Sequence, residues 1–117
     1  MQYMLMIYSD EAAEATMTEA DNQALMGAYG AYAGAMAQAG VMVGGERLRP
    51  TSDATSVRIR AGKTELLNGP YADTREQLGG YFLIDVPDHD TALKIAAECP
   101  AAAWATVEVR PVGPCFM

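Results

Sequence analysis

Two glutamates stand in sequence contexts that could support acid–base chemistry. The first, Glu46, follows the Gly44-Gly45 step on a segment whose other residues have a buried, apolar pattern. A carboxyl group removed from water holds its proton more tightly, so Glu46 could act as a general acid or base. The alternative is an ion pair of Glu46 with Arg47 or Arg75 at the edge of a sheet, because buried carboxylates are usually paired.

The second candidate, Glu76, follows Arg75 in a turn-rich segment, residues 68–81. These two side chains could bind a polar group of a ligand, or they could hold the loop in place. We therefore predict Glu46 and Glu76 as the catalytic residues. The predicted ligand-binding residues are the polar side chains that could line a cleft between the first helix and the sheet: Tyr8, Tyr29, Arg47, Arg75 and Tyr81. Tyr29 has a competing role, because it also fits the buried stripe of a helix.

The sequence indicates neither a metal nor an organic cofactor. It holds one histidine, His89, and two cysteines, Cys99 and Cys115, and their spacing matches no metal-binding pattern. No phosphate-binding glycine loop, dinucleotide fingerprint or nucleophile elbow is present. The histidine lies at a predicted helix start, where an isolated histidine is more often incidental than functional. We expect Cys99 to be a small buried hydrophobic residue and Cys115 to lie in a loosely held tail.

Composition favours one cytoplasmic domain spanning residues 1–117. Half of the 117 residues are hydrophobic, and the formal net charge is −7. An acidic surface repels phosphate backbones and anionic lipids, so we predict no nucleic-acid and no membrane partner. No apolar run reaches the roughly 20 residues that span a bilayer. The N-terminal segment 1–8 lacks the basic start and the cleavage site of a signal peptide.

Hydrophobic periodicity predicts six strands and two long helices. The predicted order is strand 1–8, helix 18–39, strand 41–48, hairpin 56–60 and 64–68, strand 81–86, a helix from 88 or 90 to before Pro100, and strand 105–112. Residues 9–17 are predicted as a polar connection and residues 72–78 as a short helical turn. Gly44-Gly45 suggests either a bulge in its strand or a close approach of the backbone to a neighbour. In the hairpin, we expect Val57 and Ile59 to face inwards and their arginine neighbours outwards.

The first helix has two distinct faces. Thr18 and Asp21 form a capping pair at its start. Its predicted buried stripe consists of Leu25, Tyr29, Tyr32 and Met36. The opposite face, Gly27–Gly34, carries glycine and alanine and no charge. That face is either a weakly polar solvent face or a surface that a second helix or subunit approaches closely, which would produce oligomers larger than a dimer.

Without the hairpin, the element order is β-α-β-β-α-β, which is the ferredoxin-like pattern of an α+β fold. Two helices cover one face of the four-stranded sheet. Strands 1–8 and 81–86, however, are apolar on both faces. The second face is therefore expected to pack on the sheet of another copy, since a large exposed apolar patch is a liability in a monomer. The predicted assembly is a homodimer that forms a dimeric α+β barrel.

One segment resembles a known family signature. The run from Asn68-Gly69-Pro70-Tyr71 to Leu78-Gly79-Gly80-Tyr81 is similar to that of the YCII-related proteins of the DGPF type. In that signature an Asp-Gly-Pro-Phe turn precedes a charged stretch and a Leu-Gly-Gly-aromatic step into a strand. Segments 3–8, 40–48 and 107–111 are similar as well. The resemblance implies a ferredoxin-like dimeric α+β barrel and a small bacterial protein of a family often encoded near, or fused to, extracytoplasmic-function sigma factors.

Two departures limit what the resemblance implies. The first turn residue is Asn68, and an amide cannot replace a carboxylate as a general base. Simpler YCII proteins have a helix histidine paired with an acid, but the matching position here falls at Gly27 or Ala28. The resemblance therefore does not imply a histidine-based mechanism for this protein.

Two classes of function remain open from the sequence. The first is a cofactor-free small-molecule enzyme or binding protein with acid–base carboxylates in a cleft of the barrel. The second is a non-catalytic regulatory or assembly module associated with sigma-factor signalling. An accessible cavity lined by the predicted polar groups would favour the first, whereas a closed barrel and larger oligomers would favour the second.

Overall fold

The computed structural model describes residues 1–113, which form an α+β fold of six strands and three α-helices. The strands are β1 (Gln2–Ser9), β2 (Met42–Arg47), β3 (Thr55–Arg60), β4 (Lys63–Asn68), β5 (Gln77–Asp85) and β6 (Thr106–Pro111). The helices are α1 (Glu11–Glu14), α2 (Glu19–Gln38) and α3 (His89–Ala97). Short 3₁₀ turns occupy Thr51–Asp53 and Pro100–Ala103.

Four strands form one antiparallel sheet in the order β2-β5-β1-β6, and β3 and β4 form a separate hairpin. This order, with α2 between β1 and β2 and α3 between β5 and β6, is the ferredoxin-like arrangement. The predicted α+β fold class and the hairpin inserted between β2 and β5 are confirmed.

The central strand β1 separates two unlike faces of the sheet. Its odd-numbered side chains Tyr3, Leu5 and Ile7 are buried under the helices. They pack with Ile84 of β5, with α2 and with α3 in the main hydrophobic core. Because side chains alternate along a strand, the even-numbered side chains lie on the opposite face. No helix of the described residues covers that face.

Helix α2 begins with the predicted capping box. The Thr18 hydroxyl accepts a hydrogen bond from the Asp21 amide at 3.1 Å, and the Asp21 carboxylate accepts one from the Thr18 amide at 3.3 Å. Tyr32 and Met36 on its inner stripe are buried. The Tyr32 hydroxyl donates to the Ile95 carbonyl at 2.6 Å, so the inner stripe of α2 is hydrogen-bonded to α3.

Strand β2 does contain the predicted bulge, which lies at Val43, immediately before the Gly44-Gly45 step. The pairing of β2 with β5 shifts register between Met42 and Gly44. A side chain at Gly45 would place its Cβ 2.7 Å from the Phe82 ring and 2.9 Å from the Tyr81 carbonyl oxygen, so glycine allows β2 to approach β5 closely.

The prediction of a helical turn at 72–78 is wrong. Residues 72–76 are bends and irregular loop, and β5 already begins at Gln77. Pairing of Ser9 with Gln77 and of Tyr8 with Leu78 extends the β1–β5 ladder into this segment. The Gln77 side chain donates to the Thr74 carbonyl at 2.5 Å, which fixes a non-helical backbone before the strand.

The prediction that Val57 and Ile59 face inwards is also wrong for the single chain. Both side chains are 64% exposed, because the hairpin projects from the main sheet and no helix covers it. The alternation itself is real, since Arg58 pairs with Glu65 on the other face of the hairpin.

The polar connection 9–17 contains α1, which the sequence pattern did not reveal. Cys99 is buried, as expected, whereas Cys115 lies outside the described residues. Among residues 1–113, no helix combines the length and the apolar character needed to span a membrane.

Candidate functional site

A cavity of about 730 Å³ lies on the helix side of the sheet. Helix α2 forms one wall, β2 and β5 form the floor, and α1 with the residues after β2 closes one end. Its volume falls within the range of small-molecule sites. We call this cavity the helix-side cleft.

One acidic residue that lines the helix-side cleft is Glu14, which the sequence pattern did not single out. The Asp10 carboxylate caps α1 by accepting from the amides of Ala12 and Ala13, at 3.0 and 3.2 Å. Glu14 ends this one-turn helix and lines the cleft. Its Oε1 atom is buried, and no donor of residues 1–113 lies within hydrogen-bond distance of it.

Helix α1 is fixed to the wall of the cleft. The Glu11 carboxylate accepts hydrogen bonds from the Thr51 amide at 3.0 Å and from the Thr51 hydroxyl at 2.7 Å. The Glu11 amide in turn donates to the Gln77 side-chain oxygen at 3.0 Å. Two distant parts of the chain, at Thr51 and at Gln77, therefore hold the turn that carries Glu14.

Tyr29 projects from α2 into the same cleft and stacks on Phe82, with ring centroids 6.4 Å apart. Burial raises the pKa of the Tyr29 phenol well above its ordinary value, and the neighbouring Cys99 thiol and the Glu14 carboxylate raise it further. The phenol is therefore neutral at physiological pH. It can donate or accept a hydrogen bond, but it is not a phenolate base.

Arg47, at the end of β2, and Arg49, which is paired with Asp53, are cationic residues that line the cleft. The Arg47 Nη1 atom lies 3.6 Å from the Met26 sulfur of α2, which places this side chain on the helix side of the sheet. Within residues 1–113, no carboxylate oxygen lies within 4.0 Å of the Arg47 guanidinium nitrogens. The cleft thus combines an unpaired cation, a neutral phenol and a carboxylate oxygen without a donor.

A second cavity, of about 770 Å³, opens near the ends of β1 and β6. Tyr8, Arg75 and Glu76 line it, and Trp104 borders both cavities. The Glu76 carboxylate accepts a hydrogen bond from the Thr106 hydroxyl at 2.8 Å, which ties the segment before β5 to β6.

The structure divides the predicted site residues between the two cavities. Tyr29 and Arg47 lie together in the helix-side cleft, whereas Tyr8, Arg75 and Glu76 border the second cavity. Glu46 and Tyr81 border the helix-side cleft but pair with each other across β2 and β5. By strand alternation their side chains lie on the opposite face of the sheet from Arg47. The two predicted catalytic carboxylates are thus not brought together with Tyr29.

One sequence signal could have located Glu14. Asp10 is a typical N-cap residue, and the Glu-Ala-Ala-Glu run that follows it consists of good helix formers. A helix of a single turn has too little periodicity to be recognised, so the carboxylate at its end was overlooked. Within the described part of the chain, no group of three or more histidine, cysteine, aspartate or glutamate side chains is arranged to hold a metal ion.

Comparison with known proteins identifies one family. Residues 1–115 match the YCII-related domain. An uncharacterised protein of Rhizobium meliloti (strain 1021) is 34% identical over 114 residues, which cover 96% of this chain and 92% of that relative. These matches confirm the resemblance that segment 68–81 indicates.

Proposed function

This chain belongs to the YCII-related family, and on that premise we propose that it binds a small polar molecule in the helix-side cleft and acts on it by acid–base chemistry without a cofactor. The proposed location is the cytoplasm, and the proposed assembly is a dimeric α+β barrel. The observation that carries the proposal is Glu14 Oε1, a buried carboxylate oxygen with no donor from residues 1–113.

A buried acceptor without a donor costs free energy, so such groups in folded proteins usually have a partner. Glu14 lines a cavity large enough for a metabolite, and a donor carried by a ligand would satisfy Oε1. In the bound state Glu14 would then accept a proton from that group or share a hydrogen bond with it.

The other cleft groups define the chemistry of the ligand. Arg47 offers a guanidinium with no carboxylate within 4.0 Å among residues 1–113, which suits a carboxylate or phosphate group. Tyr29 offers a neutral phenol, and Phe82 offers an apolar surface beside it. A complementary molecule has a hydroxyl or amino group at one end, which donates to Glu14, and an anionic group at the other end, which binds Arg47.

Glu46 and Glu76 remain proposed acid–base groups on the other side of the molecule. Glu46 lies opposite Tyr81, and Glu76 borders the second cavity with Tyr8 and Arg75. In a barrel made of two sheets, both carboxylates would approach the enclosed space between the chains. They therefore define an alternative place for the same acid–base chemistry.

The dimer is supported by the uncovered face of the sheet. Met4 pairs with Leu83 and Met6 with Tyr81 across β1 and β5, which makes an apolar centre on that face. Packing this face against the same face of a second copy would exclude water from it. The resulting interface would be isologous, as in most homodimers.

A thermal-shift screen tests the ligand proposal. We expect hydroxy acids and amino acids of metabolite size to raise the melting temperature, because a ligand bound only to the folded state adds stability with concentration. At a ligand concentration of 100 times Kd the gain is about 2.7 kcal/mol. The measurement is repeated on Glu14→Gln, Tyr29→Phe and Glu46→Gln.

The three variants separate the two proposed locations. A ligand in the helix-side cleft loses most of its shift in Glu14→Gln and keeps it in Glu46→Gln. The reverse pattern would move the site to the opposite face and contradict the role of Glu14. An unchanged shift in all three variants, or no compound of this class that shifts the wild type, would reject the proposed site.

The second candidate function is a non-catalytic regulatory or assembly module linked to sigma-factor signalling. The observation that favours it is the open face of α2, where a Cβ added at Gly27, Gly30 or Gly34 would meet no atom within 4 Å. A helix or subunit could approach this face closely. Light scattering over a range of concentrations distinguishes the two: an assembly module forms oligomers larger than a dimer, whereas the ligand-binding protein stops at two chains.

A further inference from the structure

The charges and the aromatic rings of the helix-side cleft narrow the class of its ligand. We infer that this ligand is a zwitterionic amino acid with a large apolar side chain, and that Trp104 selects for that side chain. This ligand class rests on the proposed function, because it requires that a small molecule binds in the cleft. The cleft should then prefer such amino acids to hydroxy acids and to amino acids with small side chains.

Among residues 1–113, five charged side chains border the helix-side cleft, and three of them are engaged or turned away. The Glu11 carboxylate already accepts two hydrogen bonds. Arg49 forms an ion pair with Asp53 at 2.7 Å. Glu46 lies, by strand alternation, on the face of the sheet that points away from the helices. The charges left for a ligand are therefore one carboxylate and one guanidinium.

These two remaining charges, Glu14 and Arg47, act on the same part of the cleft. Burial and the neighbouring Cys99 thiol raise the pKa of the Tyr29 phenol. The Glu14 carboxylate raises this pKa further, whereas the Arg47 guanidinium lowers it, so the phenol lies within range of both charges.

A zwitterion matches this pair of opposite charges better than a hydroxy acid does. The charges of Glu14 and Arg47 cancel, so a bound hydroxy acid leaves one net negative charge in the cleft. A bound zwitterion leaves none, and a buried net charge is costly. The ammonium of an amino acid can donate to Glu14 while its carboxylate accepts from Arg47, and both hydrogen bonds are charge-assisted.

The rest of the cleft offers an apolar surface for the side chain of the ligand. Aromatic rings from separate elements line it, namely Tyr29 of α2, Phe82 of β5 and Trp104 of the loop before β6. The rings of Tyr29 and Phe82 stack with 26° between their planes. Leu25 of α2 and Ile7 of β1 line the same cavity. A large apolar side chain gains affinity by burying its surface against these groups.

Trp104 is the most exposed of these aromatic residues, at 48%. Its backbone is nevertheless held, because its amide donates to the carbonyl of the fully buried Ala101 at 3.1 Å. Trp104 also borders the second cavity together with Asp10 and Ala13, so it stands beside the turn that carries Glu14. A large side chain on a ligand held by Glu14 covers the exposed indole, whereas a methyl group leaves most of it in water.

Isothermal titration calorimetry with four probe compounds tests the ligand class. The probes are phenylalanine, 3-phenyllactate (hydroxyl in place of the ammonium), phenethylamine (no carboxylate) and alanine (no ring). We expect the Kd of phenylalanine to be lower than each of the other three by about tenfold or more, because each of them loses a charged contact or the apolar contact. Trp104 is the sole tryptophan. Its fluorescence should therefore shift to shorter wavelength when phenylalanine covers the indole.

Two alanine variants test the role of Trp104. Trp104→Ala should raise the Kd of phenylalanine by about fivefold or more and that of alanine by less than about twofold, because the methyl group covers little of the indole. Tyr71→Ala, at an 83% exposed position outside both cavities, is the aromatic control and should change neither Kd. Equal losses for both amino acids in Trp104→Ala would show that Trp104 does not select the side chain.

The wild-type titrations need no variant and decide the ligand class by themselves. Binding of 3-phenyllactate as tight as that of phenylalanine would overturn the zwitterion, and equally tight binding of alanine would overturn the selection of a large side chain. If 3-phenyllactate raises the melting temperature and loses this shift in Glu14→Gln, the ligand class fails while the proposed function stands. If no probe binds, the ligand class is rejected, and the wider thermal-shift screen then decides the proposed function separately.

Discussion

At the residue scale, the neighbouring glycines of β2 have different environments. A Cβ at Gly44 would meet no atom within 4 Å, whereas a Cβ at Gly45 would lie 2.9 Å from the Tyr81 carbonyl oxygen. The Phe82 ring, which packs edge-on against Tyr32 at 5.5 Å, stands 2.7 Å from the same Cβ. Glycine at position 45 is therefore required by close packing, whereas at position 44 the space is free.

This difference predicts opposite outcomes for two alanine variants. Gly45→Ala should lower the free energy of unfolding by about 1–3 kcal/mol, because backbone and ring must move to admit the methyl group. Gly44→Ala is the control and should change the free energy of unfolding by less than about 0.5 kcal/mol. Urea unfolding of both variants measures the difference, and equal effects would show that β2 does not approach β5 as closely as described.

The site could be predicted only in part at this scale. Tyr29 and Arg47 were predicted as polar side chains that could line a cleft between the first helix and the sheet, and both line the helix-side cleft. Glu46 was chosen because the segment around it has a buried pattern. That pattern cannot tell which face of an edge strand a side chain occupies, since a bulge shifts the alternation. Glu14 was missed because its importance comes from tertiary contacts of α1.

At the scale of elements, α2 shows which parts of the fold are encoded locally. The capping box, the buried stripe and the glycine stop at Gly40, which has a φ of +73°, all follow from short-range rules. The start of β5 at Gln77 does not, because the ladder with β1 extends a segment whose own residues favour a turn. Strand alternation predicted which hairpin side chains share a face, but Val57 and Ile59 on that face are exposed, because alternation does not show whether another element packs against it.

The glycine-rich face of α2 yields a prediction at this scale. Gly30→Ala should raise the free energy of unfolding by about 1 kcal/mol, since alanine is the better helix former and the added Cβ meets no atom within 4 Å. This corresponds to roughly 4 °C in the melting temperature. Gly40→Ala is the contrasting variant and should destabilise the protein, because a left-handed backbone disfavours a Cβ.

Calorimetry combined with light scattering tests this pair of variants. A lower melting temperature for Gly30→Ala, together with a smaller particle, would mean that another subunit covers the face. That result would favour the assembly module over the ligand-binding protein.

At the scale of the whole molecule, the single chain is thin and extended. Its dimensions are 48 × 43 × 18 Å and its radius of gyration is 16.2 Å, whereas a compact chain of this length has about 13 Å. One sheet under a single layer of helices and a projecting hairpin account for this shape. A second copy packed on the uncovered sheet face would convert two thin layers into one core.

Met6 lies at the centre of that face and provides the sharpest test of the dimer. It pairs with Tyr81 on one side and Glu108 on the other. In Met6→Lys, the new cation lies beside the Glu108 carboxylate and is compatible with the single chain, but between two packed sheets it would be buried at high cost. We therefore expect a folded monomer with a radius of gyration near 16 Å in X-ray scattering, whereas the wild type scatters as a dimer. Leu93→Lys, at a 44% exposed position on α3, should leave the dimer intact. A dimer that survives Met6→Lys would mean that this face is not the interface, and the two-sided apolar pattern of β1 would then need another partner.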